Sequence, residues 1–214
     1  MTVKLHRMPI PEDHKFIRYD EDNDRDLNRV YAGFVPPGEQ PGFTTVIGES
    51  LYLPQKFYVM AEYEDFDLGN LLRQTMEMHA DLKVQMLYGP MDDALNGFLI
   101  HLNRQRADNG LDTIHFSYPY RFDGGNVSYH LNMIREALRT NSKSLYLGDA
   151  SKVQSALQQI PSNLPDAPCQ KYPIVAAAGW PLAALMSMPQ NMHDDTGPAM
   201  AVTKYDLFPR FGRS

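Results

Sequence analysis

The sequence contains very little cysteine and no long apolar run. Cys169 is the single cysteine among 214 residues, which excludes an internal disulfide and a zinc site made of several cysteines. No stretch approaches the roughly 18 to 20 consecutive apolar residues of a membrane-spanning helix. No apolar core follows the basic residues near the start, as it would in a secretory signal. We therefore expect a globular protein of a reducing compartment, with no membrane partner.

Basic residues are also in deficit. Lys and Arg number 20 against 26 Asp and Glu, which gives a formal net charge of −6. A protein that coats nucleic acid needs an excess of cations to neutralise phosphates, so this balance gives DNA binding only weak support. A local basic face is the alternative, and its candidates are five arginines on the middle helices and loops: Arg104, Arg106, Arg121, Arg135 and Arg139.

The common catalytic signatures are missing as well. The sequence has no P-loop, no G-x-G-x-x-G, no G-x-S-x-G and no H-E-x-x-H. Its seven histidines include no pair four residues apart, so no helix presents two of them to one metal ion. The motifs therefore give no support to a P-loop phosphate site, a serine hydrolase or a zinc protease.

The sequence does contain a regular succession of strand and helix patterns. Strands are predicted at residues 28–34, 43–53, 56–63, 83–88, 113–118 and 144–147, and helices after Asp67, near Asp92 or Asp93, after Asn126, after Ser151 and over 172–188. Three strands with short connections favour an antiparallel meander, and the alternation that follows favours a mixed sheet covered by helices. We predict an α/β domain over 28–188, with an extended arm at 1–27 and a tail at 189–214.

Two of these segments carry specific expectations. Regular alternation in the third strand would put Glu62 on the same face as Tyr58 and Met60, as a half-exposed residue. The apolar segment 172–188 suits a buried helix packed closely on a sheet, and a strand over 174–177 is the alternative.

Four stretches in register resemble the nuclease domain of viral terminase large subunits, which has the RNase H-like fold. They are VYAGFVPPG, TTVIGE with KFYVMAEYED, VQMLYGP and YPIVAAAGWPLAAL, and together they cover roughly residues 28–188. Each stretch is weak alone, and their order and spacing carry the resemblance. It implies a sheet in which the first strand lies beside the fourth.

The resemblance also implies a site for two divalent cations, held by carboxylates from the first strand, the fourth strand and the late helix. Two such cations stabilise the attacking and leaving oxygens during phosphodiester hydrolysis, and they need several clustered oxygen ligands. Here the corresponding positions hold Val35, Gly89 or Pro90, and one of the residues 176–178, which are all alanine. The resemblance therefore implies a nuclease framework without its metal ligands.

A relocated ligand set is the alternative. Glu62, Asp92 and Asp93 together would make an active endonuclease that requires Mg or Mn, with Asp92 and Asp93 as the metal ligands. We favour a structural role for these two residues, in which Asp92 and Asp93 cap the helix that begins beside them and interact favourably with its dipole. Without this set, no cofactor is expected.

The tail carries a candidate interaction segment. Aromatic and arginine side chains are typical interface anchors, and the last residues offer five of them: Tyr205, Phe208, Arg210, Phe211 and Arg213. We expect this segment to bind a protein partner or a second copy of the chain. The resemblance then implies a catalytically degenerate viral assembly or structural component of the host cytoplasm or the virion. An unrelated virion structural protein is a further alternative.

Overall fold

The computed structural model of the chain describes residues 27–50, 55–82, 84–90, 93–110, 113, 116–117, 127–139, 144–148, 151–161 and 171–187. The predicted arm at 1–27 lies outside these ranges except for its last residue, and the predicted tail at 189–214 lies outside them completely. None of the helices in the described ranges has the length and apolar character needed to cross a membrane.

The elements follow one another in the predicted order. The strands are β1 (Leu27–Val35), β2 (Gly42–Ser50), β3 (Phe57–Asp65), β4 (Met86–Tyr88), β5 (Phe116–Ser117) and β6 (Leu145–Tyr146). The helices are α1 (Leu68–Asp81), α2 (Asp93–Asp108), α3 (Val127–Leu138), α4 (Lys152–Gln159) and α5 (Pro173–Ser187). Asp67 and Ser151 cap α1 and α4 as predicted, since each side chain accepts a hydrogen bond from the backbone three residues on. The predicted cap of α3, Asn126, lies outside the described residues.

The strands form one mixed sheet in the order β5-β4-β1-β2-β3-β6. β1, β2 and β3 pair antiparallel, whereas β4 runs parallel to β1, β5 parallel to β4, and β6 parallel to β3. The first strand therefore lies beside the fourth, as the resemblance implies. This α/β architecture has the strand order of the RNase H-like fold.

Helices cover both faces of the sheet, and alternate residues of β1 point to one face or the other. Tyr31 and Val35 belong to a core cluster with α3, α4 and α5, whereas Val30, Ala32 and Phe34 belong to a second cluster with α1 and α2. Because both faces are covered, β2 is buried along its whole length.

A β-bulge in β3 overturns the predicted alternation. Ala61 and Val59 pair with consecutive residues of β2, which leaves Met60 as an extra residue. An extra residue shifts all following side chains to the opposite face. Glu62 therefore points to the α4 and α5 face, whereas Tyr58 and Met60 pack against α1. The expectation of a half-exposed Glu62 is also wrong, because this residue is only 7% exposed.

The apolar segment before the tail forms α5 from Pro173 to Ser187, so the strand predicted over 174–177 as its alternative is wrong. Apolar residues surround the whole circumference of α5, and periodicity alone does not separate such a helix from a buried strand. Burial of α5 between the sheet and α3 accounts for this composition. Pro181 lies inside the helix.

A buried ion pair fastens the far end of α5 to the sheet. Arg29 Nε of β1 lies 2.6 Å from Glu49 Oε2 of β2, and both side chains are almost completely buried. Arg29 Nη2 also donates to the carbonyl of Leu185, at 2.8 Å. A cation beside the last carbonyls of a helix is favourable because the helix dipole is negative there.

The single basic face proposed from the sequence does not form. Arg104 and Arg106 lie on α2, which packs on one face of the sheet, whereas Arg135 and Arg139 lie on or next to α3, on the opposite face. Arg121 lies outside the described residues.

Candidate functional site

The fold brings the three implied ligand positions to one place. Val35 ends β1, and β4 runs parallel beside it with Gly33 paired to Tyr88, so that Gly89 and Pro90 follow at the same edge of the sheet. The first half of α5 crosses this region. Val35, Tyr88 and the alanines at 176–178 all belong to the same buried cluster. The three implied positions therefore lie close together where β1, β4 and the first half of α5 meet, and we call this region the β1–β4–α5 junction.

The residues of the β1–β4–α5 junction are apolar. Val35 and the three alanines at 176–178 have no exposed surface. Gly89 is buried and Pro90 is half-buried. None of these side chains offers an oxygen to a cation. The two-metal centre implied by the resemblance does not fit the residues present, and we derive no reaction step through it.

The helix and the strand are also in direct contact. A Cβ atom added at Gly33 would lie 1.9 Å from the carbonyl oxygen of Ala177 and 2.9 Å from Cδ of Pro181. Pro181 has no N–H, so the carbonyl four residues earlier, that of Ala177, lacks its usual helical partner. This carbonyl faces the Cα of Gly33. Only glycine allows this approach, which closes the space between β1 and α5.

Two tyrosine side chains, Tyr31 of β1 and Tyr88 of β4, lie next to each other on the face of the sheet that α5 covers. The rings of Tyr31 and Tyr88 have centroids 5.7 Å apart and are tilted by 55°. Both residues are buried, and burial raises the pKa of each hydroxyl above its ordinary value. The junction therefore presents neutral phenols and aliphatic groups where metal-dependent hydrolysis needs carboxylates.

Glu62 has a different position and different partners. Thr45 of β2 pairs with Gly33 on one side and with Glu62 on the other, so two strand spacings, or about 10 Å, separate the backbones of Glu62 and Gly33. The Glu62 carboxylate accepts hydrogen bonds from the Ser151 hydroxyl at 2.7 Å, the Lys152 N–H at 2.7 Å and the Val153 N–H at 3.2 Å.

These three donors form the first turn of α4. A carboxylate at a helix N-terminus satisfies N–H groups that have no helical partner and interacts favourably with the helix dipole. The contacts of Glu62 therefore explain its burial, and they occupy both carboxylate oxygens. Sequence reasoning missed this role because it depends on the bulge at Met60.

The other carboxylates of the relocated set are only partly described. Asp92 lies outside the described residues, and Asp93 is described only as the first residue of α2. β1 and β2 lie between β3, which carries Glu62, and β4, which precedes α2. The joint ligand set of Glu62, Asp92 and Asp93 stays a prediction. Among the side chains that the structure describes, no three of His, Cys, Asp and Glu form a group that could hold a metal ion.

A groove of about 380 Å³ lies next to the junction, between the end of α4 and the start of α5. Its polar lining comes from Gln40, Gln159, Lys171 and Tyr172. The described residues that line it include no carboxylate, so this groove does not supply the missing metal ligands.

The remaining candidate residues lie outside the described ranges. They are the five interaction residues of the tail: Tyr205, Phe208, Arg210, Phe211 and Arg213. Their predicted roles are neither supported nor contradicted by the fold. Gly33 was also missed from the sequence, although a glycine in a strand is a recognisable signal of close packing.

Comparison with solved structures finds phage large terminases, the family that the sequence resembles. The large terminase of a thermophilic bacteriophage, in two crystal forms, is 15% identical over 76% of this chain, with TM-scores of 0.49 and 0.48. A mutant nuclease domain of the large terminase subunit of bacterial virus Sf6, with manganese and beta-thujaplicinol, is 12% identical over 80% of this chain and 93% of its own length, with a TM-score of 0.41.

The chain spans only about two fifths of the thermophilic phage terminase, which is 40% and 41% of its length in the two crystal forms. No protein-family model and no curated protein sequence matches the chain. The strand order described above identifies the fold as RNase H-like, and the comparisons assign no activity.

Proposed function

We propose that the chain is a catalytically degenerate RNase H-like protein, similar to the nuclease domains of phage DNA-packaging terminases, that acts as a viral assembly or structural component. The observation that carries this proposal is the composition of the β1–β4–α5 junction. The positions that would hold two cations lie together at this junction and contain only aliphatic or backbone groups, and Val35 and the alanines at 176–178 among them are fully buried.

The close contact at Gly33 supports the same conclusion independently of side-chain identity. Hydrolysis by two metal ions needs space for both ions and for a phosphodiester between the strand and the helix. In this chain the Ala177 carbonyl and the Pro181 ring lie directly on the strand. This contact lies two residues before Val35, so α5 packs directly on β1 beside the position of the first implied ligand.

The active-nuclease alternative depends on Glu62, Asp92 and Asp93. Glu62 already satisfies three donors of α4, and withdrawing it would leave two N–H groups and a hydroxyl without a partner. This cost argues against Glu62 as a ligand. The alternative remains testable because the two aspartates can be changed together.

The decisive assay is cleavage of supercoiled DNA in the presence of Mg²⁺ or Mn²⁺, with and without EDTA. We expect no metal-dependent nicking by the purified chain. The matched variant replaces both Asp92 and Asp93 by alanine, a change that costs about 1 kcal/mol if the residues only cap α2. Metal-dependent nicking that disappears in this double variant would contradict the proposal and establish the endonuclease.

The assembly role is tested separately through the tail. We expect the full chain to elute as an oligomer, or to bind a protein partner, through the aromatic and arginine residues at its end. Sizing by light scattering of the full chain and of a chain ending at residue 188 measures this difference. Identical monomeric masses, with no partner retained by the full chain, would remove the support for docking through the tail.

A further inference from the structure

His130 is a buried histidine without a hydrogen-bond partner among the described residues. It lies on α3, is only 1% exposed, and neither ring nitrogen has a partner in the described part of the chain. Leaving a buried polar atom unpaired costs free energy, so apolar residues are the usual choice at such positions. The nuclease framework gives this side chain no role.

The histidine ring lies at the contact between α3 and α5. A Cβ atom added at Gly179 of α5 would lie 2.5 Å from the His130 Cβ and 2.6 Å from its Nδ1, so the imidazole packs directly on the helix backbone. The next residue, Trp180, is fully buried and meets the imidazole edge to face, with ring centroids 6.2 Å apart. We call His130, Gly179 and Trp180 the α3–α5 joint.

We propose that the α3–α5 joint is an acid-sensitive joint, in which the neutral ring of His130 holds the two helices together and the protonated ring separates them. A neutral imidazole fits the joint as a small aromatic ring. An imidazolium there would bring two N–H donors and a positive charge into an apolar contact that offers no acceptor among the described residues. This inference goes beyond the proposed function and does not rest on it.

The surroundings of the joint provide no compensating negative charge. Among described residues, the titratable or charged side chains at α3 itself are Tyr129, Arg135, Glu136 and Arg139. The other elements on this side of the sheet add Tyr31, Tyr88 and Tyr146, Lys152 of α4, Glu62 of β3, and the Arg29–Glu49 pair beside the end of α5. α5 contributes none. Each carboxylate of this set has another partner: the largely exposed Glu136 pairs with Arg139, Glu49 pairs with Arg29, and Glu62 accepts three hydrogen bonds from the first turn of α4.

Burial lowers the pKa of His130 from its ordinary value of 6.5 to about 4. Because folding lowers the pKa of His130, its neutral ring stabilises the closed joint fully at pH values above the unfolded-state pKa of 6.5. This stabilisation is lost as the pH falls to the folded-state pKa of about 4. The window of sensitivity therefore runs from about pH 6.5 down to about pH 4. Between pH 7.5 and 5, linkage predicts a rise of roughly 30-fold in the opening constant.

The chain contains one tryptophan, Trp180, which makes it a direct reporter of the joint. Urea unfolding of the full chain would be followed by Trp180 emission at pH 7.5 and pH 5, for the wild type and for His130→Leu. We expect the unfolding constant of the wild type to rise roughly 30-fold more than that of the variant. His101→Leu is the matched control, because His101 lies exposed on α2 and should leave the pH dependence unchanged. Equal pH dependence in His130→Leu and the wild type would overturn the proposal.

Local opening is distinguished from global unfolding without urea. We expect acrylamide to quench Trp180 more efficiently at pH 5 while the far-UV circular dichroism still reports a folded chain. Quenching that increases only together with loss of the circular dichroism signal would overturn the joint as a separate opening unit. If His130→Leu does not fold, the imidazole resonances of the wild type decide, since a His130 that titrates near pH 6.5 excludes the buried, unpaired state.

Discussion

Replacing Glu62 by glutamine should destabilise the protein strongly, although the two side chains have nearly the same shape. The carboxylate accepts three hydrogen bonds from the first turn of α4, through both of its oxygens. Glutamine keeps one oxygen and places an NH₂ group against a backbone N–H. Hydrogen bonds to a charged group contribute about 1.5 to 3 kcal/mol each, so losing one or two of them should cost about 3 kcal/mol.

The assay is urea unfolding of Glu62→Gln beside Glu64→Gln, with hydrogen exchange of the α4 amides as a second measurement. Glu64 is two residues further along β3 and pairs with Lys152, but both side chains are more than a third exposed, at 37% and 42%. An exposed pair of this kind contributes less than about 1 kcal/mol. Equal stabilities of the two variants, or unchanged protection of α4 in Glu62→Gln, would refute the assigned role of Glu62.

Two further substitutions and one titration test the buried groups of the core. Gly33→Ala should lower the free energy of unfolding by about 3 kcal/mol or prevent folding, whereas Gly38→Ala, which meets nothing within 4 Å, should change it by less than about 0.5 kcal/mol in chemical denaturation. Arg29→Met should cost about 3 to 5 kcal/mol in the same assay, because it removes the cation that forms an ion pair with the buried Glu49 carboxylate, and adding Glu49→Leu should recover most of the loss. Ultraviolet titration should show that Tyr88 ionises only well above pH 10, with stability lost as the pH rises past that value, and ordinary titration near 10 would contradict its burial.

The order of the elements was predictable from local patterns. Asp67 and Ser151 are strong capping residues, and the strands are rich in β-branched and aromatic residues between turn signals. These signals act within a few residues, so they survive in a single sequence. The resemblance then supplied what local patterns do not contain, which is the position of the first strand beside the fourth.

The role of Glu62 was not predictable in this way. Its direction depends on one extra residue in β3, and its partners come from a helix about 90 residues further along the chain. Because both faces of this sheet are buried, its strands show no clear alternation of apolar and polar residues. The hydrophobic pattern therefore does not reveal where one extra residue reverses that alternation. The same two-sided burial explains why the apolar segment of α5 admitted a strand as its alternative.

The contact between Gly33 and α5 shows a similar limit. The sequence revealed that the late helix lacks a carboxylate, but only the fold shows that its backbone closes the space on β1. His130 likewise gave no sequence signal, since a histidine on a helical face is compatible with a surface, a core or a metal site.

The most direct test of the central claim is the anomalous scattering of crystals grown or soaked with Mn²⁺. If the β1–β4–α5 junction has lost its acidic ligands, the anomalous map should contain no manganese peak among Val35, Tyr88 and the alanines at 176–178. A pair of manganese peaks between these residues would contradict the account.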